Sequence, residues 1–191
     1  MATYKNKPGT NRREFLAGAA FSLGAVAGFT GCTLPTQALK EGKPAAGRLE
    51  HNASLCAGCG VCSLMCSLYH EKEVNISLSR SELVRDPLEA TFSVSACRQC
   101  LSPSCYESCP KKDSALCIDR TTGVKYIDSD QCDGCGECTL ACPLDPARVK
   151  LNPITETAFK CDLCREREGG PICVEYCSQK ALALVPVGRE V

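Results

Sequence analysis

Sixteen of the chain's eighteen cysteines fall into four groups of four. The first, Cys56, Cys59, Cys62 and Cys66, is spaced C-x2-C-x2-C-x3-C. The third, Cys132, Cys135, Cys138 and Cys142, repeats that spacing and runs into Pro143. The second, Cys97, Cys100, Cys105 and Cys109, reads C-x2-C-x4-C-x3-C-P, and the fourth, Cys161, Cys164, Cys173 and Cys177, reads C-x2-C-x8-C-x3-C. Thiols at this density serve disulfides, zinc or iron–sulfur clusters. A disulfide framework needs partner segments, and three cysteines within seven residues, twice over, stand too close for one. Zinc favours two separated pairs closing one tetrahedron, a description that only the fourth group fits. Three thiolates converging from one short loop suit the face of a [4Fe–4S] cube. The run C-x2-C-x2-C-x3-C-P is the bacterial signature for such a cube, its fourth cysteine serving the other cluster of a pair. Four groups therefore predict four [4Fe–4S] clusters with these sixteen cysteines as iron ligands.

The elements around the groups must hold such loops open to a cofactor. Gly58, Gly60, Gly134 and Gly136 let the backbone wrap tightly and aim N–H groups at sulfur. Helical spacing begins inside group one and predicts a helix over 61–71. Residues 115–118 and 124–127, joined through 119–123, predict a hairpin. Residues 148–151 and 158–160, interrupted by Asn152-Pro153, predict a second strand pair. Cys117 falls in a strand outside every group and reads as a small buried residue. His51 and His70 lie near group one, but no group lacks a ligand, so neither is expected to bind metal. The alternation Arg165-Glu166-Arg167-Glu168 reads as a solvated loop inside group four.

Composition narrows the function. Lys+Arg and Asp+Glu both number 22, which leaves no basic excess for nucleic acid. Aromatics make up 5% with no Trp, so a large aromatic core is excluded. No apolar run reaches the roughly 20 residues of a membrane span. No H-E-x-x-H, G-x-S-x-G, P-loop or dinucleotide fingerprint is present, so the chain reads as an electron carrier without a catalytic or substrate site of its own.

The first 31 residues differ from the rest. Lys5, Lys7, Arg12 and Arg13 precede an apolar, Ala/Gly-rich run over 17–29, in the order of an export signal. Arg12-Arg13-Glu14-Phe15-Leu16 looks like a twin-arginine signal, departing from the usual pattern at Asn11 and Ala17. Export of an already folded chain suits a protein whose clusters are built in the cytoplasm. The expected location is the periplasm or the outer face of the cytoplasmic membrane. Cys32 follows Gly31 in a lipoprotein-like box and is the expected lipidation site. Ala25-Val26-Ala27 offers a competing cleavage site. Residues 32–50 read as a tether and 51–191 as the four-cluster body.

Four cysteine groups in this order resemble the iron–sulfur (beta) subunits of the dimethyl-sulfoxide-reductase superfamily of molybdenum and tungsten enzymes. They also resemble the ferredoxin-like subunits serving carbon monoxide dehydrogenases, formate hydrogenlyase and aldehyde ferredoxin oxidoreductase relatives. The stretch Cys66-Ser-Leu-Tyr-His-Glu with Asn75-Ile-Ser-Leu-Ser-Arg80 leans toward the ferredoxin-like branch. The likeness covers about 51–185, with the Cys164–Cys173 gap as a departure. It implies an α+β fold of two interlocked bacterial-ferredoxin-like cluster pairs, with short helices and β-hairpins. Groups one and four share one half, and two and three the other. Cys177 would then complete the cluster of Cys56, Cys59 and Cys62, and Cys142 that of Cys97, Cys100 and Cys105. Cys109 would complete that of Cys132, Cys135 and Cys138, and Cys66 that of Cys161, Cys164 and Cys173. The implied partners are a molybdenum- or tungsten-pterin catalytic subunit and a membrane quinol-interacting subunit or cytochrome, with the twin-arginine machinery for export. The alternatives are a free exported polyferredoxin, for which the slight acidic excess after residue 31 is suitable, and an exported disulfide or zinc scaffold.

Overall fold

The computed structural model describes residues 46–187. The segment expected to be an export signal, Cys32 and most of the expected tether lie outside the described residues. Among the described residues, eight short strands form four antiparallel two-stranded ribbons, with four α-helices and two short 3-10 turns between them. The architecture is α+β.

The first strand, β1 (Arg48–His51), pairs with the last, β8 (Leu182–Val185), with Leu49 opposite Leu184. This pairing brings the last described residues beside the first. Arg48, Leu49 and Glu50 therefore belong to the body, which corrects the tether boundary at residue 50. The cause is non-local: the polar run RLEH becomes a strand only because the LALV segment arrives beside it.

Helix α1 (Val61–Glu71) spans the residues predicted for it. It starts after Gly60 at φ 78 and stops at Lys72 at φ 59, both in the left-handed region that ends helical geometry. Ser67 fixes the exit of this helix, its Oγ accepting from the Asn75 N–H at 3.1 Å. The hairpin β2 (Glu82–Asp86) with β3 (Thr91–Ser95) follows and was not anticipated. Its tip is held by Asp86, whose Oδ1 accepts from Leu88 and Glu89 N–H at 2.9 and 3.1 Å.

Three further helices are single turns: α2 (Ser104–Glu107), α3 (Glu137–Leu140) and α4 (Ile172–Glu175). Each lies inside a cysteine group, and one turn is too short to show a helical period. Both anticipated strand pairs form, as β4 (Leu116–Ile118) with β5 (Lys125–Ile127) and β6 (Val149–Leu151) with β7 (Ala158–Lys160). Asp119 closes the first, its Oδ1 accepting from Thr121 and Thr122 N–H at 2.8 Å each. Asn152 closes the second by accepting from Ile154 and Thr155 N–H. Helix α1 packs on α4, α2 on α3, and β5 on β7.

The apolar interior is divided into three clusters, each built partly of cysteine. Tyr106, Leu116, Ile118, Val149 and Ala158 surround Cys138, with Cys105, Cys109 and Cys132 against them. Val124 and Leu163 pack with Cys161 and Cys97. Leu182 packs with Cys62, Cys173 and Cys177. Cys117 lies in β4 opposite Tyr126 and is fully buried. Among the described residues, no helix is long and apolar enough to cross a membrane.

Candidate metal centres

Four nests of thiols emerge from these loops. Cys56, Cys59, Cys62 and Cys177 line one cleft, together with Gly60, Val94 and Ala181. Gly58, at φ 65, lets this loop pass under Phe92: a Cβ there would lie 2.5 Å from the ring. Arg85 Nη2 donates to the Gly58 carbonyl at 3.1 Å, so the β2–β3 hairpin clasps the group-one loop. The Ala181 N–H donates to Cys177 Sγ at 3.2 Å.

Cys97, Cys100, Cys105 and Cys142 line a second cleft with Gln99, Lys125, Arg148 and Lys160. The Arg148 N–H donates to Cys142 Sγ at 3.3 Å, and Lys160 Nζ donates to Cys97 Sγ at 3.4 Å. In the third nest, burial pushes the Cys138 thiol up to about 11, and Cys109, Cys132, Cys105 and Cys135 add to the effect. The Ala158 N–H donates to Cys132 Sγ at 3.4 Å. Gly134, at φ 69, faces the Glu156 carbonyl so closely that a Cβ would sit 2.1 Å from its oxygen.

In the fourth nest, burial pushes Cys173 up to about 12, with Cys66, Cys164 and Cys62 contributing after it. Cys161 is raised first by burial and then by Cys173, Cys97 and Cys66. The Arg80 N–H donates to Cys66 Sγ at 3.3 Å. In the first two clefts the fourth cysteine of one group lines the same space as the first three of another.

Such nests suit iron–sulfur chemistry. Grouped buried thiols resist ionisation while only other thiols face them, whereas a bound cationic metal deprotonates its thiol ligands outright. Backbone N–H groups aimed at sulfur are the second-shell contacts that tune a cluster.

Two stretches make contacts that the sequence did not show, and the second corrects an expectation. His70 is not incidental. Its Nε2 lies 3.6 Å from Cys164 Sγ and 3.5 Å from Asp162 Oδ1, in a buried setting. Burial and then the Arg80 guanidinium push it down to about 4, so the ring is neutral near pH 7. Arg80 Nη1 donates to Asp162 Oδ2 at 3.0 Å, which completes a polar network behind the fourth nest. The available signal was spacing: His70 is one helical turn beyond Cys66, on the same face of α1. The second stretch is residues 165–168. The Arg165 guanidinium stacks 3.7 Å above the Tyr126 ring, and Arg167 binds the Gly170 carbonyl and Glu175. The arginines are packed, and only the glutamates face solvent. His51 lines both the first nest and a neighbouring polar cleft, its Nε2 buried without a hydrogen-bond partner.

A family model described as a 4Fe-4S dicluster domain matches residues 88–186, which take in groups two, three and four. The NrfC homolog of Haemophilus influenzae is 35% identical over 186 residues, covering 90% of this chain and 78% of its own. Protein NrfC of Escherichia coli (strain K12) is 34% identical over 191 residues, with the same coverage. Electron transport protein HydN of the same strain is 30% identical over 154 residues, covering 70% of this chain and 85% of its own. The cysteine groups and the family match support iron–sulfur clusters as the cofactors. With over half its length matched by that model, and with relatives alike across most of theirs, the chain belongs to the 4Fe-4S dicluster domain family.

Proposed function

We propose that this chain is an electron-transfer subunit holding four [4Fe–4S] clusters in a single file. When bound, each cluster takes up and releases one electron. The ligand sets are Cys56, Cys59, Cys62 and Cys177; Cys97, Cys100, Cys105 and Cys142; Cys132, Cys135, Cys138 and Cys109; and Cys161, Cys164, Cys173 and Cys66. The observation that carries the reading is the sharing of core between nests. Cys62 and Cys177 pack with Cys173, Cys161 packs with Cys97, and Cys105 packs with Cys138. The order along the file is then group one, four, two, three. Cys59 and Cys135, at opposite ends of that order, are the two exposed cysteines among those of the four nests. They mark where electrons enter and leave.

A file with two open ends and no substrate chemistry needs a donor and an acceptor. The family resemblance supports a molybdenum- or tungsten-pterin catalytic subunit at one end and a membrane quinol-interacting subunit or cytochrome at the other. The relative named as an electron transport protein supports the carrier role. Arg12-Arg13 supports export of the folded chain by the twin-arginine route, to the periplasm or the outer face of the cytoplasmic membrane, with Cys32 as a lipid anchor. Anaerobic purification from native membranes tests the reading. A stable complex with a large molybdenum- or tungsten-containing subunit, and iron and sulfide for four cubes in this chain, is the expected result. A lone cluster-loaded monomer would favour the free shuttle, and zinc or disulfides without sulfide would remove the electron-transfer reading.

A further inference from the structure

Two lysines are almost completely buried. Lys125 is 1% exposed and Lys160 is 2% exposed. Lysine is almost never fully buried without an anionic partner. The lysine ion pairs among the described residues involve Lys111, Lys112 and Lys150, and neither Lys125 nor Lys160 has a carboxylate within reach. Both side chains instead line the group-two cleft with Cys97, Cys100, Cys105 and Cys142.

The two differ in their contacts. Lys160 Nζ donates to Cys97 Sγ at 3.4 Å, to the Cys161 carbonyl at 3.3 Å, and to the Lys125 carbonyl. Gln99 ties the same place together: its Nε2 donates to the Cys161 carbonyl at 2.8 Å and its Oε1 accepts from the Lys125 N–H at 2.7 Å. Lys125 Nζ is buried and has no hydrogen-bond partner in the protein. An orphaned ammonium beside four thiols is a costly arrangement unless an anion occupies the cleft.

We infer that Lys125 and Lys160 are a buried cationic pair whose counter-ion is the group-two cluster, and that they hold its reduction potential above the value its ligands alone would set. The inference rests on the ligand set proposed for that cleft. A cube with four thiolates is anionic, and reduction adds a further negative charge, so two nearby cations favour the reduced form. Burial keeps the effect from being screened. With an effective dielectric of about 20, unit charges a few ångströms apart interact by more than a factor of ten in an equilibrium.

The other nests lack this feature among the described residues. Arg80 behind group four is offset by Asp162 and Glu71, and Lys111 near group three by Asp133. Arg85 over group one contacts the Gly58 carbonyl from an exposed position. At the group-two cleft itself, Arg98 is exposed, and Arg148 donates its guanidinium to the Pro146 carbonyl. The lysines are therefore positioning charges that make the group-two site a resting point for electrons within the file.

The test is a redox titration of the cluster-loaded full chain, followed by electron paramagnetic resonance and by iron and sulfide counts. Cys105→Ser first identifies the group-two couple as the one whose signal changes. Lys125→Met and Lys160→Met should then shift that same couple to lower potential. The expected loss is at least tenfold in its reduction equilibrium, 59 mV for one electron, with the other couples unmoved. Lys125→Met is the cleaner variant, because it leaves no carbonyl without its donor. Full iron content with an unmoved group-two couple in both variants would overturn the inference, as would a shift confined to another couple. Should both variants lose iron, Lys125→Arg decides. Recovered iron with an unshifted couple supports the pair, and failure to recover overturns it. Wild-type iron and sulfide short of four cubes would instead count against the ligand assignment.

Discussion

Alanine at Gly134 and at Gly136 separates backbone strain from steric exclusion within one cysteine loop. Both glycines have left-handed backbone, with φ of 69 and 81. An L side chain in that region costs roughly 1–2 kcal/mol. At Gly136 a Cβ meets nothing within 4 Å, so strain is the whole penalty. At Gly134 the Cβ would lie 2.1 Å from the Glu156 oxygen and 3.1 Å from its carbonyl carbon. That carbonyl is backbone, and its loop is pinned by Asn152 N–H to the Thr157 carbonyl and Glu156 N–H to the Asn152 carbonyl, both at 2.8 Å. The loop has to move, and forced overpacking costs about 1–3 kcal/mol more. If clusters are released through local opening, Gly136→Ala should speed release roughly 5- to 30-fold. Gly134→Ala should add about another thirty-fold for a middle value of ~2 kcal/mol. Visible absorbance during challenge with an iron chelator measures both rates. Gly58→Ala is an internal control, since its obstacle is the Phe92 ring and Phe92→Leu should recover much of the loss. Equal release rates for Gly134→Ala and Gly136→Ala would refute the steric argument.

The crossed ligand sets predict that Cys66→Ser damages the cube held by Cys161, Cys164 and Cys173, and that Cys177→Ser damages the one held by Cys56, Cys59 and Cys62. Magnetic resonance during redox titration should show an altered or three-iron centre in the named cube, and damage within the mutated group's own cube would refute the crossing. Replacing Arg12 and Arg13 together by lysine should leave cluster-loaded protein in the cytoplasm, checked by fractionating cells that express the chain without partners; undiminished export would remove the twin-arginine reading. Intact-mass analysis of the exported chain should find it beginning at an acylated Cys32, and a chain beginning at Gly28 would remove the lipid anchor.

What could be read from residues alone depended on how local its cause was. The thiol groups, the helix over 61–71 and the two hairpins ending in Ile127 and Lys160 were legible because spacing, turn chemistry and periodicity act within a few residues. The β1–β8 ribbon was not, since Arg48–His51 pairs only with a segment more than a hundred residues away. The β2–β3 hairpin was missed because Glu82–Asp86 carries charge at both ends and little alternation. The one-turn helices lie below the length at which a period exists.

The interior of the molecule shows a different limit, because residue type there pointed the wrong way. Lysine at the end of a short strand reads as solvent-facing, yet Lys125 and Lys160 are more deeply buried than Phe159 in the middle of β7. The reversal has a physical cause. Most of the interior is cysteine and small aliphatic residues, so the apolar clusters close around thiol nests instead of a hydrocarbon core. A fold organised around anionic cofactors changes what counts as a compatible interior. The N–H groups aimed at Cys66, Cys132, Cys142 and Cys177 follow the same logic. In such an interior a polar donor without a protein acceptor is not a packing fault. At Lys125 Nζ, one of several buried polar atoms for which the protein supplies no partner, it indicates where negative charge resides.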